Sequence, residues 1–212
     1  MVKKRSPAVR AHFRTLLKAW FELMERYVRA TDGDLPYRYG ERATLSLLAG
    51  SVWALGGHDN VAIEEYSTRR GTWKRGRADA WWLCKGAAVA VEAKQDRPSG
   101  RQLADGNAWV RRVRNKLAAA KKQARSLRAF DNVADFRAAI VFVCPRLHDD
   151  DDTTSVLERL RRRLEEVFKR HDGVNLVALW EVPWSPRDED ARSWPAIGLV
   201  GYVFDAEGGR QR

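Results

Sequence analysis

The sequence predicts an α/β protein in which a central mixed β-sheet is flanked by helices on both faces. Apolar residues recur at helical spacing in four stretches of the chain. Six shorter runs, either alternating or apolar throughout and bounded by turn residues, indicate strands. Their order is helix, helix, three strands, helix, strand, helix and two strands, which is typical of one sheet covered on both sides.

The first two elements are amphipathic helices. A helix is predicted over residues 7–30, with these apolar positions three or four residues apart: Phe13, Leu16, Leu17, Trp20, Phe21, Met24 and Val28. Its basic face suits either solvent, contact with DNA, or a second copy of the chain. A second helix over 41–55 has Glu41 in its first turn, where the helix dipole favours a carboxylate, and it ends at Gly56-Gly57.

Three strands follow, and the second and third carry a group of charged residues. After a strand over 60–67, the stretches 77–84 and 87–94 are joined by a tight turn at Lys85-Gly86, which predicts a hairpin. Strand side chains alternate between faces, so Glu92 and Lys94 share one face. Antiparallel pairing would place Asp79 opposite them. Two carboxylates and an ammonium would then stand at one end of the sheet.

These three charges suit metal-assisted chemistry on a phosphate. Neighbouring carboxylates repel each other, which is relieved by a raised pKa or by a bound divalent cation. Mg²⁺ would bridge the carboxylates and a phosphodiester oxygen, and Lys94 would orient water or stabilise the charge that develops. The simpler alternative is a solvated ladder of salt bridges on a half-polar sheet.

Basic residues are concentrated in two stretches. The chain has 39 Lys and Arg against 28 Asp and Glu, a net charge of +11 that favours a polyanionic partner. A loop is predicted over 68–77, directly before the Asp79 strand, and a long helix over 102–129 has no acid between Trp109 and Phe130. The candidate nucleic-acid-binding residues are Arg69, Arg70, Lys74, Arg75, Arg77, Arg111, Arg112, Lys116, Lys121 and Lys122.

The remaining elements complete the sheet. A buried strand is predicted over 136–144, a helix over 156–170, and strands over 174–182 and 197–204. Ser155 and Glu158 predict a capping box, so the acids at 149–152 are assigned to the start of that helix and not to a metal site.

The 212 residues suit one domain, with a helical extension over 1–35 and a core over 41–182. Cys84 and Cys144 lie in apolar runs and are expected to be reduced core thiols. The basic N-terminus lacks an apolar signal region, and the longest apolar run is too short to span a bilayer. The expectation is a cytoplasmic protein without a membrane partner.

An acid near a helix start, a strand with Asp79, a strand with Glu92-Ala93-Lys94 and a long basic helix together resemble the core of the PD-(D/E)XK nuclease superfamily, the restriction-endonuclease-like fold. The resemblance covers residues 41–144, with Ala78 where the family name has Pro. It implies that Asp79, Glu92 and the backbone carbonyl of Ala93 bind Mg²⁺ or Mn²⁺ and that Lys94 assists the attacking water. Glu41 matches by position a further glutamate found in many members, and Glu64 or Glu65 competes for that role.

The resulting expectation is a metal-dependent nuclease, endonucleolytic or exonucleolytic, that hydrolyses phosphodiester bonds of nucleic acid, with DNA favoured over RNA. Two alternatives stay open: a nucleic-acid-binding protein without catalysis and a protein-assembly factor, both on the same fold. A two-fold homodimer would be the simplest arrangement for cutting both strands of a duplex.

Overall fold

A computed structural model describes residues 7–70, 74–128, 134–148, 150–171, 174–182 and 194–206. It confirms an α/β fold with a mixed sheet flanked by helices. The elements are α1 (Pro7–Ala30), a 3-10 helix (Pro36–Tyr39), α2 (Glu41–Ala54), β1 (Val61–Arg70), β2 (Lys74–Cys84), β3 (Ala87–Asp96), α3 (Gly100–Ala104), α4 (Gly106–Ser126), β4 (Leu127–Arg128), β5 (Phe136–Val143), α5 (Thr153–Arg170), β6 (Leu176–Glu181) and β7 (Ala196–Asp205).

The strands form one sheet in the order β4-β1-β2-β3-β5-β7-β6, in which β4 contributes only two residues. Strands β1, β2 and β3 form an antiparallel meander, and β5 lies parallel to β3 after the crossover through α3 and α4. Strand β7 lies between β5 and β6 and is antiparallel to both. A core that stopped at residue 182 would therefore lack an interior strand.

Both faces of the sheet are covered by helices. On one face, buried side chains of α1 and α2 pack against β2, β3 and β5 in a single cluster that includes Trp20, Met24 and Trp82. On the other face, α4 and α5 pack against β5 and β7 through residues such as Val113, Leu160 and Val141. Helix α1 is thus part of the main core, although residues 1–35 were predicted as an extension.

Two predicted elements differ in the structure. The helix predicted over 102–129 is two helices, because Asp105 accepts a hydrogen bond from the Ala108 amide and begins α4. The loop predicted over 68–77 is largely strand: β1 continues to Arg70 and β2 begins at Lys74, with 71–73 outside the described residues. Arginine and lysine are compatible with a strand once the partner strand supplies backbone hydrogen bonds.

The start of α5 also differs. The N-cap is Asp152, whose carboxylate accepts hydrogen bonds from the Thr154 and Ser155 amides, so the predicted capping box at Ser155 is wrong. A capping box is present instead at Ser99 and Gln102, at the start of α3.

Both cysteines are free and buried, as predicted. Among the helices that the structure describes, none combines the length and apolar character needed to cross a membrane.

Candidate active site

Asp79 lies where the sheet opens between β2 and β3. The pairing of these strands runs from Cys84 and Ala87 to Ala80 and Val91 and stops there. One residue further on, Asp79 Oδ2 accepts a hydrogen bond from the Ala93 amide at 2.7 Å. A side chain thus takes the place of a backbone acceptor, which fixes the carboxylate beside β3.

The first strand of the meander is also distorted at this level. Its register pairs Glu64 with Ala80 and Tyr66 with Ala78, which leaves Glu65 opposite Asp79 without a regular pair. Glu65 has a φ of 48°, a left-handed backbone conformation that residues other than glycine seldom adopt. The distortion turns its carboxylate toward α2, where Arg42 Nε lies 2.8 Å from Glu65 Oε1.

Lys94 lies between two oxygen-bearing groups. Its ammonium donates a hydrogen bond to the Ala93 carbonyl at 2.7 Å and lies 4.0 Å from Glu41 Oε1. About a third of each of these two charged side chains is accessible to solvent. The lysine is therefore held against Ala93, the residue whose backbone N–H donates to Asp79.

Glu41 is brought to this point by the start of α2. Gly40, with a φ of 122°, turns the chain into the helix. Burial raises the pKa of the Glu41 carboxyl; nearby Lys94 opposes that rise and Asp79 adds to it. Of the three glutamates that sequence left as alternatives, Glu41 is the one in contact with Lys94.

Glu92 lies deeper in the sheet. Its side chain is 1% exposed, and in the parallel pairing with β5 it stands opposite Ala139. Asp79 is one residue before Ala80 and Glu92 one residue after Val91, so the two acids continue the last pair of the ladder. The side of β3 that carries Glu92 is the side covered by α4.

Glu64 and Glu65 line a groove of about 570 Å³ between α2 and the β1–β2 pair. Ser46 donates a hydrogen bond to Glu64 at 2.6 Å, and both Arg42 and Arg77 bind Glu65. The groove is lined by Glu41, Arg42, Leu45, Ser46, Glu64, Glu65, Arg77, Ala78 and Asp79. Its four carboxylates outnumber its two guanidinium groups, so the lining favours a cation.

The donors for a metal are all oxygen atoms. Within the described ranges, no three His, Cys, Asp or Glu side chains are grouped closely enough to hold a metal ion. The carboxylates of Asp79 and Glu92 and the Ala93 carbonyl are hard oxygen donors, the type that Mg²⁺ and Mn²⁺ prefer. The Ala93 carbonyl already accepts from Lys94, but its second lone pair remains.

Sequence reasoning missed Asp96, a buried acid 2% exposed that joins β3 to α4. Its carboxylate accepts a hydrogen bond from Trp109 at 3.1 Å and pairs with Arg112 at 2.9 Å and Lys116 at 3.2 Å. Lys116 also donates to the Gln95 carbonyl. The sequence signal for this cluster was the spacing of residues 109, 112 and 116, which places their side chains on one face of a helix, where they can contact the same residue.

The other predicted nucleic-acid-binding residues are dispersed. Arg112 and Lys116 face Asp96, and Arg77 binds Glu65. Arg111 and Lys122 are exposed on α4, and the Lys121 ammonium lies 3.7 Å from the centroid of the Tyr202 ring. The remaining four residues belong to the ends of β1 and β2, and their side chains lie outside the described part: Arg69, Arg70, Lys74 and Arg75.

No protein-family model, no characterised protein and no solved structure matches this chain.

Proposed function

We propose that the protein is a metal-dependent nuclease of the restriction-endonuclease-like fold that hydrolyses phosphodiester bonds of DNA at the site formed by Asp79, Glu92 and Lys94. The observation that carries the proposal is the position of the Lys94 ammonium. It lies between the Ala93 carbonyl and the Glu41 carboxylate, beside the peptide that donates to Asp79. A structural salt bridge on a sheet surface would not need a second carboxylate at the point where the strands separate.

We assign each residue a role in the proposed reaction. Asp79 and Glu92, with the Ala93 carbonyl, would hold the metal. Lys94 would hold and orient the attacking water and stabilise negative charge on the phosphate. Glu41, in the first turn of α2, keeps its carboxylate 4.0 Å from the Lys94 ammonium.

When bound, Mg²⁺ or Mn²⁺ would polarise the phosphodiester and lower the pKa of a water molecule. The excess of carboxylates in the groove would repel a phosphate in the absence of a cation. The same excess therefore supports a requirement for a divalent metal.

The charge of the whole chain supports a polyanionic substrate. The net charge is +11, although the groove itself is acidic. Exposed cations such as Arg111 and Lys122 on α4 would bind phosphates away from the reacting one. Such contacts position a nucleic acid without reading its sequence.

A nucleic-acid-binding protein without catalysis is the second candidate. It is favoured by the lack of a three-residue metal-binding group among the described side chains. It predicts binding of DNA that falls with salt and does not depend on a metal.

The test is incubation of the protein with supercoiled plasmid, linear duplex, single-stranded DNA and RNA, in Mg²⁺, in Mn²⁺ and in chelator. The matched variant is Glu92→Gln, which keeps the shape of the buried side chain and removes its charge. We expect metal-dependent products with the wild type and a loss of at least about 100-fold in the variant. Absence of products from every substrate, with DNA binding intact, would reject catalysis and favour the second candidate.

A further inference from the structure

The short segment that precedes α2 is held by two side chains that follow Lys94, one near the end of β3 and one just after it. Gln95 Nε2 donates a hydrogen bond to the Tyr37 carbonyl at 2.9 Å, and Arg97 Nη2 donates to the Arg38 carbonyl, also at 2.9 Å. The next residue, Tyr39, is separated from Glu41 only by Gly40. Residues 37–39 are thus fixed relative to the candidate active site.

Tyr39 presents an aromatic ring to solvent at this position. It is 61% exposed, the largest exposed fraction among the large hydrophobic side chains of the described residues. Its hydroxyl donates a hydrogen bond to Asp34 at 2.8 Å, and the Arg38 guanidinium lies 5.2 Å from its ring centroid. A ring that is already positioned loses little conformational entropy when another flat group stacks on it.

Two exposed arginines lie on the same end of the sheet. The guanidinium carbons of Arg97 and Arg146 are 5.4 and 6.0 Å from the centroid of the Trp194 ring. The Arg146 amide donates to the Pro98 carbonyl, which ties the two loops together. In the part of the chain that the structure describes, neither arginine forms an ion pair with an acid. Two cations held against one indole without an acid favour a polyanion as their partner.

Resting on the proposed function, we propose that Tyr39, Arg97 and Arg146 bind the substrate strand beside the reacting phosphate, with Tyr39 stacked on an unpaired base. The two arginines supply phosphate contacts, and the aromatic ring supplies a surface on which any base can stack. Bases within a duplex are already stacked on their neighbours and do not offer a free face. This surface therefore selects a single-stranded segment, such as a flap or a frayed end, over continuous duplex.

The test is fluorescence anisotropy in chelator, with a labelled 15-nucleotide single strand and a blunt duplex of the same sequence. We expect Tyr39→Ala to weaken single-strand binding on the order of tenfold and duplex binding much less, since stacking is lost only with the unpaired base. Tyr39→Phe keeps the ring and should bind as the wild type does. Arg97→Ala and Arg146→Ala should each reduce the slope of log K against log salt for the single strand by about 0.7.

The matched control is Arg14→Ala, which removes an exposed arginine of α1. His12, two residues before it, contacts Cys84, the last residue of β2 and five residues beyond Asp79, so this change should leave binding unaltered. Thermal unfolding of each variant shows whether it is folded. Unchanged single-strand affinity in Tyr39→Ala and in both arginine variants would overturn the proposal, as would equal losses for duplex and single strand.

This experiment uses binding without metal, so it does not depend on catalysis. An inactive wild type with the expected binding losses would reject the nuclease and keep the surface. If the wild type cleaves DNA but the variants bind as tightly as it does, the nuclease is kept and the binding surface is rejected.

Discussion

Asp79 combines a structural and a chemical role at one position. Its Oδ2 accepts the Ala93 amide hydrogen, which satisfies a backbone donor where the β2–β3 ladder has ended. In the proposed function the same carboxylate holds a metal. The two roles can be separated, because an amide oxygen accepts a hydrogen bond but binds a divalent cation weakly.

We predict that Asp79→Asn changes the free energy of unfolding by less than about 1 kcal/mol, because the hydrogen bond to Ala93 is kept. Cleavage should fall by at least about 100-fold, because the charge is lost. Urea unfolding and cleavage of the preferred substrate measure the two effects. Asp79→Ala, which removes both, should be less stable than Asp79→Asn; full cleavage by Asp79→Asn would show that the charge is not needed.

For single residues, the sequence predicts which face of a strand a side chain lies on better than it predicts what the side chain contacts. Alternation along β3 predicts that Glu92 and Lys94 share a face. Asp96 was outside that prediction, because the strand was predicted only to residue 94 whereas β3 continues to Asp96. The contacts of Asp96 could not be derived in the same way, because they depend on how α4 lies across the sheet. The same holds for the interaction of Arg77 with Glu65, which requires the local left-handed turn at Glu65.

At the scale of elements, Asp96 is the polar attachment of α4 to β3. The carboxylate is 2% exposed and is bound by Trp109, Arg112 and Lys116, which occupy one face of the helix. A buried carboxylate with several donors is well satisfied, but removal of the acid leaves its cations against the sheet without a counter-charge.

We predict that Asp96→Ala lowers the free energy of unfolding by about 3 kcal/mol, at the lower end for a broken buried pair because Arg112 and Lys116 are partly exposed. Equilibrium denaturation in urea measures the change. Arg114→Ala, at an exposed α4 position with no ion pair among the described residues, is the control and should change stability by less than about 0.5 kcal/mol. Equal effects of the two substitutions would contradict this role for Asp96.

His12 links α1 to β2, and its hydrogen bonds require a neutral imidazole. Trp82 Nε1 can only donate, so the His12 nitrogen 3.2 Å away accepts, and the proton lies on Nδ1, 3.0 Å from the Cys84 carbonyl. Burial lowers the pKa of His12 below its usual value of 6.5, against the hydrogen bond to Cys84. The folded protein therefore resists protonation that the unfolded chain accepts.

The sign of the pH effect follows from this difference. The stability contributed by neutral His12 is present above the unfolded pKa of 6.5 and is lost as the pH falls below it, because only the unfolded state then binds the proton. Unfolding in urea at pH 7.5 and pH 5.5 should show a larger loss on acidification for the wild type than for His12→Gln. A parallel loss in both proteins would assign the pH dependence to other groups.

Elements with a continuous apolar face were predicted closely. The spacing of buried residues from Phe13 to Val28 locates α1 over Pro7–Ala30, as observed. The break at Asp105 was not predicted, because the apolar period continues across it and only the capping contact to Ala108 interrupts the helix. Strands β1 and β2 were predicted too short, since local composition does not show that each strand supplies the other's hydrogen bonds.

At the scale of the whole molecule, the sheet order could be predicted only in part. The β2–β3 hairpin follows from a two-residue turn, and the β3–β5 crossover follows from the intervening helix. The position of β7 between β5 and β6 depends on contacts between residues distant in the chain, which local patterns do not reveal. For this reason the core predicted over 41–182 omits an interior strand, and α1 was predicted as an extension although it belongs to the main core.

The molecule is basic as a whole, but the groove beside the candidate site is acidic. The chain carries a net charge of +11, while the groove beside the candidate site has more carboxylates than guanidinium groups. A cationic surface attracts a polyanion, and an acidic groove within it needs a bound cation before a phosphate can enter. The proposed metal-dependent cleavage of nucleic acid uses both features.

The most direct test of this account is the single-turnover cleavage rate of Lys94→Ala in saturating Mg²⁺ or Mn²⁺, compared with Lys169→Ala. Lys169 lies exposed in the last turn of α5 and is not among the predicted binding residues, so its removal takes away one positive charge outside the candidate site. The account predicts a fall of at least about 100-fold for Lys94→Ala, with metal still required, and a change of less than about threefold for Lys169→Ala. Cleavage by Lys94→Ala at the wild-type rate would contradict the assignment of this site.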